Sequence, residues 1–319
     1  RRYTRSADLR PLGGGDHRSV NASPGNVLVT DPATGLTTPG WAIPAGATSF
    51  PLRPGDFRAG EVNLTGLRDG MDLLPHQTRH SLYLAGGQEL GGRFELDGEL
   101  RYAHRTSDSA SLASTATITI NAANPYFASP NGSKSHQIAY SFLDQLGNVR
   151  AESEVESLGA AIGLKAQLWS DWRLEAYGAY ARELTRSSTQ GSVNSLFLRE
   201  AVGAIADNPG TRFRTSVDGW FNPYGANSRA VLDFVGSGYS RQRYEGQTWS
   251  LNAQADGRLM EVPGGDIRLA LGVHARRESF DQRTESFTST AVPNISRPPT
   301  YTRDVAAAFA ELRVPLVGD

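Results

Sequence analysis

The chain has 319 residues, a net charge of −1 and 39 % hydrophobic residues, a balance without the basic footprint of a nucleic-acid binder or the composition of a helical membrane protein. It contains no cysteine, which excludes disulfides and thiolate metal sites, and no apolar run approaches the roughly 18 residues of a transmembrane helix. A spanning barrel strand needs only about 10 residues of alternating character, so modest hydropathy leaves a β-barrel open.

In chain order, a glycine- and proline-rich stretch over 7–77 opens the sequence, and a weak strand around Leu82 and Leu84 follows at 78–87. "RFELDGELRYAHR" (93–105) then alternates cleanly. Its even positions include Phe94, Leu96, Gly98, Leu100 and Tyr102, and its odd ones Arg93, Glu95, Asp97, Glu99, Arg101 and Arg105. A period of two means a strand over 92–106, because successive side chains point to opposite faces. The same alternation predicts strands at 154–169, 172–184, 245–260 and 266–280. Their apolar sets include Leu158 to Leu168, Trp172 to Tyr180, Trp249 to Leu259 and Ile267 to Ala275. The last strand, 302–316, carries Ala306, Ala308, Ala310, Leu312, Val314 and Leu316 on one face, with Glu311 and Arg313 on the other.

The connections between these seven strands alternate strictly. Short ones ("ELGG", "SDW", "VPGG") predict tight turns at 88–91, 170–172 and 261–266, and long irregular ones fill 107–153, 185–244 and 281–301. Structureless loops this long count against a soluble domain. Outer-membrane barrels have tight turns on one rim and long loops on the other. The rows Phe94 to Tyr102 and Trp172 to Tyr180 each carry an aromatic at both ends, eight residues apart. That spacing covers about 20 Å of height in a strand tilted by ~40°, near the apolar band of such barrels. The expected fold is therefore all-β, part of a large antiparallel transmembrane barrel whose apolar faces meet lipid. The start at Arg1 without a leader, and the end at Gly318-Asp319 where 317–319 would turn at the periplasmic rim, give the expectation of an internal fragment.

Several stretches resemble TonB-dependent outer-membrane receptors of the large-looped alphaproteobacterial kind. They are "LPHQTRHSLYLAGGQELGG" (74–92), "NAANPYFASPNGS" (121–133), "FNPYGANS" (221–228), "VPGGDIRLALGVHARRE" (262–278) and "AAFAELRVPLVGD" (307–319). The likeness runs from about 74 to 319. It implies a barrel of roughly 22 strands, of which seven lie here, filled by a plug that with the coupling segment precedes the barrel and has no counterpart in this chain. By that resemblance the chain is a Gram-negative outer-membrane receptor for energy-coupled uptake of a scarce ligand such as a ferric siderophore, glycan or cofactor. Its implied partners are the TonB complex, outer-membrane lipid and lipopolysaccharide, and a small-molecule or glycan ligand, with no nucleic acid. A passive porin fits the strand pattern equally well and is the alternative; a barrel-borne hydrolase or a soluble β-sandwich ranks behind both.

Candidate ligand contacts lie in loop 185–244: Arg212, Arg214, Trp220, Phe221, Tyr224, Arg241 and Arg243 combine cations with aromatics, as anionic, aromatic or glycan ligands require. A short helix is expected there from Asn194 or Ser195, stopped by Pro209. "NPYF" and "NPYG" read as turns with a tyrosine packed beneath. His76 and His80 in "HQTRH" have a helical metal-ligand spacing, but in a segment entering a strand, so no metal site is assigned. No G-x-S-x-G, H-E-x-x-H, phosphate loop or convincing pair of carboxylates occurs, and neither enzyme nor cofactor is expected.

Overall fold

The computed structural model describes residues 6–46 and 50–316. Three short strands come first: β1 (Asn26–Thr30), β2 (Thr37–Ala42) and β3 (Arg58–Ala59). Long strands β4 (His76–Leu90) and β5 (Phe94–Ala113) follow, then β6 (Thr115–Asn121), β7 (Ser135–Ser141) and the single turn α1 (Leu143–Leu146). Next are β8 (Asn148–Gln167), β9 (Arg173–Ser192), the helices α2 (Ser195–Ala201), α3 (Thr215–Asp218) and α4 (Arg229–Val235), and the strands β10 (Gly238–Val262), β11 (Gly265–Ser286), β12 (Asn294–Ser296) and β13 (Tyr301–Arg313).

The seven long strands are the seven predicted ones, most of them longer at the loop end. They form an antiparallel meander in the order β4-β5-β8-β9-β10-β11-β13, with β12 adding three residues beside β11. The tight turns all fall on one rim, and every long segment leaves from the other. At the first turn Gly91 and Gly92 have φ of 62° and 70°, a conformation costly to any side chain, which explains the paired glycines. The predicted periplasmic end at 317–319 lies outside the described residues.

The strand registers align every apolar set on one face. Leu84 pairs with Leu100, Leu100 with Ala160, Ala160 with Tyr180, Tyr180 with Trp249, and one row lower Leu251 pairs with Ala275 and Ala275 with Ala306. The run spans nine residues, five on the shared face, on each strand: 82–90, 94–102, 158–166, 172–180, 249–257, 267–275 and 306–314, with Gln88 the one polar side chain among them. One detail differs from expectation. A bulge between Arg258 and Met260 puts Met260, not Leu259, opposite Ile267. Glycines in the sheet make room for rings: a Cβ on Gly257 would strike Trp172, and one on Gly272 would strike Phe309.

The apolar band is oblique to the ladder. Tyr102, its upper end on β5, is level through successive partners with Ser279 on β11, whereas the band on β11 ends at Ala275. Its lower end drops equally, since Phe94 is level with Leu271 but the β11 run continues to Ile267. The band is level from β4 to β5 and from β11 to β13, so over the whole sheet it falls four residues in six strand steps, which at ~3.3 Å per residue and ~4.8 Å per step is a slope of about 25°. Strands of a closed barrel tilt more steeply, by roughly 35–45°. The described sheet itself is open, with β4 and β13 at its edges.

The long segments depart from the expectation of irregular loops. They build a second sheet, in the order β3-β2-β1-β7-β6, that packs with α2 and α4 into a cap with its own core. Ile43, Ile118, Ile138, Tyr140, Phe142, Phe221 and Val235 are at most 2 % exposed. Phe213, Phe234 and Phe197 stack in sequence at 4.1 and 4.2 Å. Connections buried in this way must satisfy their backbone groups without a ladder, and asparagine amides do so. Asn26 Nδ2 donates to the carbonyls of Val20 and Asn63, Asn63 N–H returns a bond to Asn26 Oδ1, and Asn63 Nδ2 reaches the carbonyls of Pro24, Gly25 and Ile43. Asn194 caps α2 by accepting from Leu196 and Phe197 N–H, and donates to the carbonyls of Phe287 and Thr290.

Replacing Asn63 with alanine leaves three carbonyls short of a donor and should cost the cap about 2–3 kcal/mol. Faster proteolysis or hydrogen exchange within 20–63 in Asn63→Ala, with exchange along β8 and β9 unchanged, is the expected result.

Candidate functional site

Two surfaces could meet a solute: the polar face of the large sheet and the cap. On the polar face, Glu95, Asp97, Glu99, Arg101 and Arg105 of β5 project together, with Arg93 in the turn before them. Lys165 Nζ donates to Glu95 Oε1 at 3.1 Å, Arg101 Nη2 donates to Glu99 Oε2 at 2.7 Å, and the Arg101 guanidinium lies over the Tyr83 ring at 5.6 Å. Across the sheet Glu278 is flanked by Arg303 at 2.7 Å and Arg276 at 3.1 Å. The ladder from Arg101 to Glu278 crosses Gly159, Ala181 and Thr248, so a floor of small side chains separates two charged walls. Exposed pairs like these contribute little to stability, typically under about 1 kcal/mol. What they supply is a hydrated surface with fixed charges and an unobstructed middle.

The sequence-predicted contacts do not converge. Residues 185–192 belong to β9 and 238–244 to β10, so Arg241 and Arg243 lie on a strand instead of in a loop. Both share the apolar band's face, above its upper edge. Arg241 stacks over the Tyr239 ring at 4.5 Å and is 3.6 Å from Glu285, and Arg243 contacts Glu245 and Asp281. Phe221 and Tyr224 are 0 % and 1 % exposed, and serve the core of the cap, not its surface. Arg214 turns inward and donates through Nη1 to the carbonyls of Asn208, Thr211 and Phe213, closing its own loop. Trp220 is half-buried over Gly203, where a Cβ would collide with its ring. Arg212 alone of the seven is exposed without a partner among the described residues.

The two Asn-Pro-Tyr motifs do form turns. Asn124 and Asn222 are both buried, and each accepts through Oδ1 from the N–H of the tyrosine two residues on, at 2.9 and 3.0 Å. Asn124 Nδ2 also donates to the carbonyls of Val202 and Phe221, tying one long segment to the next. The helix expected from Asn194 is α2, which ends at Ala201, with Val202 as its C-cap. His76 and His80 sit on β4, His76 beside Asp108 and His80 across from His104; among the described residues no group of three potential ligands is close enough to hold a metal.

Sequence reading passed over the opposing wall of Arg276, Glu278 and Arg303. The dense "HARRESF" (274–280) signals charge there, but its placement opposite β5 needs four registers. It also passed over His136, at the cap's edge. This half-buried imidazole stacks on Phe127 at 5.3 Å and bonds the Tyr224 hydroxyl at 2.9 Å. Tyr224 donates its own proton to Ala128 O, so His136 Nε2–H is the donor and Nδ1 is left unprotonated, buried and without a partner among the described residues. Desolvation lowers the His136 pKa to about 4 and raises that of Tyr224. Comparison with protein-family models and with curated proteins gives no match for the chain.

The unfolded chain takes up a proton on His136 first, near pH 6.5, so this contribution to stability is full above that pH and is lost as pH falls toward 4. The loss should reach about 2–3 kcal/mol by pH 4.5. In His136→Phe the acid sensitivity of the cap, followed by proteolysis at pH 7 and 4.5, should be smaller by that amount.

Proposed function

We propose that this chain is part of the barrel of a Gram-negative outer-membrane receptor that takes up a scarce ligand by energy coupling, a TonB-dependent receptor. One observation carries the membrane part of the reading. All seven strands present a nine-residue run on one shared face, its positions there apolar or glycine except Gln88 on β4, along an oblique band with nothing of the described chain packed on it. Ile162, Leu251 and Val273 are 63 %, 66 % and 58 % exposed in its middle. A soluble protein does not leave such a patch to water. A bilayer accepts it at no cost, and the aromatic ends of the runs suit its interfaces.

The receptor part rests on the cap and on the resemblance of the motifs. Connections that only lined a pore would have no need of a packed core. A cored cap above a polar, charge-walled face is suited to hold a solute, and tight capture then requires energy for release inward. In this reading the plug and the coupling segment come from sequence outside the chain, and the outer surface meets lipid and lipopolysaccharide. Ligand recognition belongs to the polar face and to exposed cap residues such as Arg212.

The intact protein should bind its ligand without energy and deliver it only when the inner membrane is energised. Uptake that is linear in concentration and indifferent to collapse of the proton gradient would make it a porin. Replacing 194–236 with a short linker, which spares β9 and β10, should abolish binding while the barrel still inserts.

The two faces should also respond differently to charge. Ile162→Arg should cost about 2–4 kcal/mol of folding free energy in bilayers, and Glu99→Arg much less. Equal costs in the intact protein would remove the membrane assignment.

A further inference from the structure

Near the loop rim, one row of the polar face is free of charge on six consecutive strands. Gln77, Ser107, Ser153, Ser187, Gln242 and Thr284 are successive partners in the ladder from β4 to β11. The next row toward the cap repeats the chemistry with Ser109, Thr189, Ser240 and Ser286. Among these ten side chains only Gln242, which accepts from the Tyr244 hydroxyl, and Ser286, which meets Thr288, have a side-chain partner among the described residues. The opposite face at this level is built differently, with Glu154, Arg186 and Arg243 on consecutive strands. Neutrality is thus specific to the polar side.

On the side facing the charged middle of the sheet, Tyr244 stands in the next row and Phe280 and Tyr301 in the one beyond it. Tyr244 and Phe280 lie nearly parallel, 6.0 Å apart with 14° between their planes. Tyr301 is the cross-strand partner of Phe280 and is exposed. Gly246, on the other side of Phe280, would meet nothing within 4 Å if it carried a Cβ, so open space adjoins the rings.

We propose that this shelf is an oligosaccharide subsite, with the sugar chain lying across the strands and one ring stacked on Phe280 and its neighbours. The inference rests on the receptor reading above, since it places the ligand on the face that reading assigns to the lumen. A pyranose has an apolar C–H face that packs on an aromatic ring and a rim of hydroxyls that both donate and accept, as Ser, Thr and Gln side chains also do. Neutral partners hold such a ligand without desolvating a charge. Adjacent strands are about 4.8 Å apart, close to the repeat of one pyranose in an extended chain, so each strand can meet one sugar unit. An anionic metal chelate would need cations along the row. None stands in it: on this face Arg79 and Arg105 oppose each other one row away at the β4–β5 end, and Arg303, one row from Tyr301, is paired with Glu278.

The test is titration of the full-length protein in detergent with neutral hexasaccharides (gluco-, xylo- and galacto-configured) and, separately, with a ferric trihydroxamate. At least one hexasaccharide should bind and its monosaccharide should not. Phe280→Ala and Tyr244→Ala should each weaken that binding about tenfold, the loss of one stacked ring, while Arg105→Ala leaves it within about threefold. The heat-modifiable mobility of the barrel reports that each variant folds. Binding of the ferric trihydroxamate with no hexasaccharide bound overturns the proposal, as does hexasaccharide binding that Phe280→Ala leaves intact. Uptake indifferent to the proton gradient, with ring-dependent hexasaccharide binding retained, would remove the receptor reading and leave the subsite standing.

Discussion

Everything in the large sheet depends on antiparallel register. Side chains alternate with a period of two, so a slip of one residue between any two strands would turn five apolar side chains to the polar face and five polar ones to the other. Seven strands hold that parity without error. The bulge between Arg258 and Met260 lies at the turn rim and exchanges Leu259 for Met260 without disturbing the strands beyond it, and two further register shifts, between Ala110 and Ala113 and between Gly238 and Tyr239, lie at the loop end outside the apolar band. Because the apolar band runs oblique to the ladder, its constant width is not a consequence of hydrogen bonding. The run keeps one level on β4, β5 and β8, drops two residues at β9 and β10, and drops two more at β11 and β13.

The cap obeys a different rule. The apolar band is made of Gly, Ala and Leu beside a few rings, and its side chains interlock little, as suits a face that meets a fluid. The cap has a jigsaw core, with Tyr140, Phe142 and Phe221 in mutual ring contact at 5.0 to 5.8 Å and a threefold phenylalanine stack beside them. Its backbone is mostly irregular, and the donors that its carbonyls lack come from Asn26, Asn63, Asn124 and Asn194. One polypeptide therefore uses two folding strategies, and the boundary between them is sharp. Ser114 leaves β5 and enters the cap in one step, and its hydroxyl accepts from Val193 N–H where the next long segment leaves β9.

The strands were legible because alternation is local. A dozen residues display it, and the turn glycines and "SDW" mark its ends. The cap was not legible, because its strands are short and their partners remote. Ile118 and Ile138 look like ordinary apolar residues in a polar loop until β6 pairs with β7, and β7 with β1 more than a hundred residues earlier. The candidate contacts scatter for the same reason. In sequence Phe221 and Tyr224 are aromatics in a loop, and aromatics in a loop are exposed only if the loop has no core. Arg214 was chosen as a cation, and nothing in "TRFRTS" says that its guanidinium will close its own turn. The two Asn-Pro-Tyr turns were correctly read because an Asx turn needs only the asparagine and the two residues after it.

The charge-free row near the loop rim shows what register adds to composition. Ser107, Ser153, Ser187 and Thr284 are unremarkable in four separate stretches of sequence, each beside a charged residue: Asp108, Glu154, Arg186 and Glu285. Alternation sends each of those charges to the far face, and the ladder then lines the hydroxyls up across the sheet. The same parity that keeps arginine and glutamate out of the apolar band thus clears them from one level of the polar face. A row can be neutral by accident on two strands. Six successive strands, with an open aromatic surface beside them, point to a surface shaped for a neutral solute.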